Sequence, residues 1–129
     1  MYMYKKSIPL DYADAVAKVR DELKKEGFGV LTEIDVKQTL KTKINVDFED
    51  YIILGACNPP LAYQALTAEQ DIGVLLPCNV IVYVKGGKTF VSAILPTVQL
   101  GKVGNPKLLP IAEQVENKLK KVVDATAGN

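Results

Sequence analysis

The sequence has 129 residues, 48% hydrophobic and 24% charged, with a formal net charge of +1. That length and composition suit a single globular domain, residues 1–129, with enough chain to bury its own core. A charge balance near zero, with Arg20 as the sole arginine, argues against a phosphate-binding surface and so against nucleic acid as a partner. Histidine is absent, which removes the usual general base near neutral pH, the commonest transition-metal ligand and every triad built on histidine. The 2 cysteines are too few for a secreted disulfide scaffold. The N-terminus lacks the apolar stretch of a signal peptide, and no run reaches membrane-spanning length. The expectation is a cytoplasmic protein with reduced thiols and no membrane partner.

Tyr2 to Ser7 fits a first or edge strand, and Pro9 interrupts it. Asp11 is placed to cap a helix over 11–26, where Tyr12, Ala15, Val16, Val19 and Leu23 recur at helical spacing. Gly27 closes it as the residue that accepts a left-handed backbone. Phe28, Val30, Thr32 and Ile34 alternate with their neighbours as a second strand does. Asp35 caps a short helix, with Gln38 at the capping-box position and Val36, Leu40 and Ile44 on one face. After a loop from Asn45 to Asp50, Tyr51 to Cys57 is a nearly continuous apolar strand. Asn58 then caps a helix with Pro59 at its first position, ending near Glu69.

Residues 79–85 and 88–95 flank Gly86-Gly87, a dipeptide suited to a primed hairpin turn. Val80, Val82 and Val84 fall on one face of that hairpin and Ile81 and Tyr83 on the other. The Gly- and Pro-punctuated stretch Pro96 to Pro106 reads as a long loop, with Asn105-Pro106 repeating the cap-and-proline device. Leu108, Ile111, Val115, Leu119 and Val122 predict a last helix over 107–123, with Lys118, Lys120 and Lys121 in solvent and fraying from Ala125. Tyr2, Tyr4, Tyr12 and Tyr63 read as packing residues. The sum is an α+β fold, a mainly antiparallel sheet of about five strands with helices on one face. A doubly wound parallel sheet needs a helix after every strand, and the hairpin denies it one.

Four segments together carry a family resemblance. They are Glu26-Gly27-Phe28-Gly29-Val30, the helix Asp35 to Lys43, Gly55-Ala56-Cys57-Asn58-Pro59, and Gly73-Val74-Leu75-Leu76-Pro77-Cys78-Asn79-Val80. With Leu-Pro-Cys following an Ile-Gly-Val run and Cys-x-Pro about twenty residues earlier, the chain resembles the domain-of-unknown-function family numbered 302. The resemblance implies a β-α-β-β-β-β-α fold similar to the TATA-binding-protein class, and it implies no activity. Likeness of fold to a DNA-binding protein is not evidence of DNA binding.

Cys57 ends one predicted strand and Cys78 begins another. If those strands are antiparallel neighbours, both thiols share one end of the sheet with Asn58, Asn79 and the helix beginning at Pro59. A thiol site activated by a helix N-terminus, a soft-metal site and an anion pocket are all open there. The plainer reading, that the cysteines are core and the asparagines caps, is the commoner one. A metal is expected least, since two thiolates without histidine need further ligands, and no cofactor is expected. Gly101 to Pro106 lacks the spacing of a phosphate-binding loop. The expected function is a small binding or interaction module holding a small ligand or partner near Cys57, Asn58, Cys78 and Asn79. The alternative is a thiol-dependent enzyme or redox sensor using Cys57 or Cys78. Exposed aromatics on the first strand and the open sheet edges suggest a homodimer.

Overall fold

In the computed structural model, which describes residues 1–128, five strands form one antiparallel sheet in the order β1-β5-β4-β3-β2. They are β1 (Met3–Ile8), β2 (Gly29–Asp35), β3 (Tyr51–Cys57), β4 (Cys78–Lys85) and β5 (Lys88–Ile94). The glycine pair makes the hairpin expected of it. Gly86 and Gly87 have φ of 58° and 76°, and both central residues of this primed turn need that left-handed backbone. The sheet is therefore built from the middle, with β4 at its centre and β1 and β2 as its edges.

The helices are α1 (Tyr12–Lys25), α2 (Val36–Ile44), α3 (Pro59–Ala68), α4 (Pro96–Gly101) and α5 (Leu108–Thr126). Helix α1 buries Ala15, Val19 and Leu23, the predicted stripe, and Asp11 caps it by accepting from the Asp14 amide at 2.9 Å. Helix α5 packs against α1, and the two cover β4 and β5 over Val80, Val82 and Val91, all fully buried. The terminal helices thus share one sheet face, as the patterning predicts. Full burial of each such valine contributes about 1.5–3 kcal/mol, which makes this layer the main source of stability. Helices α2, α3 and α4 are inserted into the simpler β-α-β-β-β-β-α order that the resemblance implies.

Several expectations are corrected. Pro96 does not open a long loop; it starts α4 at the first helical position, where its missing N–H costs nothing. Thr97 holds that short helix to α5 by donating from its amide (3.0 Å) and its hydroxyl (2.7 Å) to Glu116 Oε1. Asn105 does not cap α5, which begins at Leu108 behind Lys107 with no side-chain cap. Instead Asn105 Oδ1 accepts from the Lys107 amide at 3.0 Å, closing a tight turn. Its Nδ2 donates to Ala68 O at 3.0 Å, at the end of α3. The chain does not fray at Ala125, because Thr126 is buried and its hydroxyl donates to Val122 O at 2.8 Å. Asn129 lies outside the described residues. Tyr4 and Tyr12 pack, but Tyr2 and Tyr63 are exposed.

Helix α2 departs further. Its apolar stripe exists in the sequence, yet none of its residues is buried, because the helix hangs beside the outer pair β2–β3 and never reaches the core. From Gly29 to Asp50 no residue is buried at all.

Candidate functional site

Strands β3 and β4 are antiparallel neighbours with Ala56 opposite Cys78, so the two cysteines do share one end of the sheet. Between that end, α3 and α5 lies a pocket of about 340 Å³ lined by Cys57, Asn58, Leu61, Ala62, Cys78 and Val115, with Phe28 and Leu31 along its β2 side. Its walls are almost wholly apolar side chains. Cys78 is buried and Cys57 half-buried, and both thiols are free.

The chemistry of the two thiols follows from their settings. Burial pushes the Cys78 thiol up to about 11, helped by the neighbouring Cys57, so at neutral pH it is a protonated, weakly polar wall atom. The N-terminus of α3 offers no compensating charge. Pro59 and Pro60 have no N–H, the Leu61 amide donates to Asn58 Oδ1 (3.4 Å), and the Ala62 amide donates to Asn58 O (2.8 Å). A helix start ordinarily leaves its first N–H groups free for an anion. Here each is absent or taken.

Asn58 is fully engaged as well. Its Oδ1 caps α3 and its Nδ2 donates to Glu26 O (3.2 Å), the carbonyl at the end of α1. The positive φ of Gly27, 84°, turns the chain there, and an added Cβ would stand 3.1 Å from Asn58 Nδ2. The asparagine therefore fastens two helix ends behind the pocket.

Asn79 is brought to the same sheet end but to the other face. It pairs with Gly55 and shares the pleat of Ile81 and Tyr83, while Cys78 shares that of Val80 and Val82. The structure thus gathers Cys57, Asn58 and Cys78 and sends Asn79 into a different concavity. Gly55 sits under Thr32 and Pro77 so tightly that any Cβ there would overlap the Thr32 hydroxyl.

That second concavity is the open sheet face, about 1000 Å³ in volume, a feature the sequence reading passed over. Tyr51, Tyr83 and Phe90 stand side by side across three strands, successive ring centroids 5.3 Å apart. Lys5 lies over this row, its Nζ 4.6 Å from the Phe90 centroid and 5.3 Å from that of Tyr83. Period-two alternation of Ile81 and Tyr83 against buried valines is the signal that could have found it.

The family described as domain of unknown function DUF302 matches residues 4–126 of the chain. Among solved structures, the crystal structure of an uncharacterised conserved DUF302 protein from Bacillus stearothermophilus is similar. It superposes with a TM-score of 0.92 at 31% sequence identity, covering 98% of each chain. No curated protein matches significantly. Among the described residues, no helix is long and apolar enough to cross a membrane.

Proposed function

The chain belongs to the DUF302 family, which assigns it no activity, and from the pocket's geometry we propose that it is a binding module for a small, uncharged, apolar molecule held between Cys57, Cys78 and α3. The observation that carries this reading is the pocket itself. At about 340 Å³ it falls at the small end of ligand cavities, and its lining is apolar on nearly every side. A ligand there needs few polar groups, because a buried polar atom without a partner costs several kcal/mol, on the order of 2–7. Two unpaired thiols suit a reducing cytoplasm.

The thiol-enzyme or redox-sensor alternative has one observation in its favour, namely that both cysteines line the same pocket. Against it stand the protonated state of Cys78 and the lack of free N–H groups at α3.

The test is fluorescence titration with the neutral probe N-phenyl-1-naphthylamine, on wild type and on Ala62→Phe, which fills the pocket from α3. Saturable binding of one probe per chain, lost in Ala62→Phe and shielding Cys57 from a thiol reagent, is expected. Binding that is absent, or indifferent to Ala62→Phe, defeats the reading. Rapid native labelling at a midpoint well below that of a free thiol would install the alternative.

A further inference from the structure

Residues 29–50 form an outer excursion of the fold in which no residue is buried, and its strand β2 is an edge of the sheet. On that strand Val30 stands opposite Ala56 and Thr32 opposite Gly55, so the register shifts by one and Leu31 is left between them without a partner. This is a β-bulge. In an unbroken strand residues two apart share a face, and Val30 and Thr32 would stand together. The bulge separates them. Val30 packs against the core, whereas the Thr32 side chain crowds Gly55, whose partner on β4 is Asn79 of the open face. Leu31, released from the ladder, lines the cysteine pocket beside Phe28.

We propose that Leu31 is the residue that closes this pocket over its ligand, a contact that sets affinity and residence time and not the stability of the fold. The inference rests on the binding role proposed above for the same pocket. The pocket has no polar anchor to offer a ligand. Among the described residues none that lines it is charged, and its one amide side chain, Asn58, is committed to α3 and to Glu26 O. An apolar molecule is then held by the area of wall it touches, and every gap in that wall weakens its hold.

The gap lies on the β2 side, where the sheet ends. Leu31 is 67% exposed, against 39% for Leu66, 6% for Leu61 and 5% for Leu100, which line the same pocket. With so little of it buried, the side chain adds little to the empty fold. A ligand seated against it supplies the apolar surface that it lacks. A single exposed leucine is ordinary on any surface. This one is the only residue of β2 on the pocket wall, and it is the residue that the bulge releases. Bulges recur beside binding sites because they re-aim one side chain while the rest of the strand stays paired.

Equilibrium and stopped-flow fluorescence with N-phenyl-1-naphthylamine test this on the whole chain. Leu31→Ala is expected to weaken probe binding about tenfold, mainly through faster release, with the urea midpoint of the probe-free protein unchanged. Leu31→Met keeps the volume and should bind within about twofold of wild type. Ile34→Ala, at a 48% exposed position of the same strand that does not line the pocket, should bind as wild type does. Wild-type affinity and release in Leu31→Ala, with binding still lost in Ala62→Phe, would overturn this inference and leave the pocket's binding role standing. Absence of saturable binding to wild type would sink both. Weaker binding accompanied by a lower urea midpoint, or matched by Ile34→Ala, would assign Leu31 to the fold and refute its role at the ligand.

Discussion

At the scale of single residues, Cys78 and Asn79 show how far neighbours in sequence can part in space. The Pro-Cys-Asn triplet invites reading as one site, yet strand alternation sends its cysteine to the helix-covered face and its asparagine to the open one. The same alternation was legible in Val80, Ile81, Val82 and Tyr83, so the separation of Asn79 from the cysteines could have been read. Burial of Cys78 has a consequence for pH. Its thiol is raised from the ordinary 9.0 to about 11, so the folded chain keeps a proton that the unfolded chain loses. Stability from this group is full below pH 9 and declines as pH rises toward 11, by on the order of 2–3 kcal/mol in all. Urea midpoints measured from pH 8 to 11 should fall in wild type and fall less steeply in Cys78→Ala. Parallel slopes in the two proteins would show that the buried thiol is not the cause.

Among the elements, α3 shows which signals a sequence carries well. Asn58 followed by prolines marks its start without ambiguity, because cap and proline each act through their own backbone. Replacing Asn58 by Ala removes both the cap and the link to Glu26 O, and should cost about 1 kcal/mol. Equilibrium urea denaturation would register this as a lower midpoint at unchanged slope. Asn58→Asp keeps the cap oxygen and should recover part of the loss. What the sequence could not convey is tertiary. Helix α4 is stabilised by Glu116, 19 residues away, and α2 has a helical stripe with no core to receive it. The pocket was legible only at its cysteine end, through Cys57, Asn58 and Cys78; its remaining walls come from β2, α3 and α5, and no local pattern joins them.

For the whole molecule, the tie between its first strand and last helix is a small polar network. Tyr4 donates to Asp124 Oδ1 at 2.7 Å, and Lys6 Nζ lies 2.7 Å from the same oxygen. These hydrogen bonds, that of Lys6 first and then that of Tyr4, hold the Asp124 carboxyl below its usual range. A depressed carboxyl contributes stability that is present above its unfolded pKa and is lost as pH falls through the folded one. The acid limb of a urea-midpoint profile should therefore be shallower in Asp124→Asn than in wild type, and identical limbs would exclude the network from acid unfolding. The outer excursion behaves differently. Since nothing from Gly29 to Asp50 is buried and Val30 is its one residue packed against the core, opening β2 and α2 away from β3 uncovers little of the core and costs less than global unfolding. The β2 edge also carries Leu31, which lines the cysteine pocket. The pocket's outer wall thus belongs to the longest stretch of the fold without a buried residue, so any reshaping of that edge strand reshapes the pocket's rim as well.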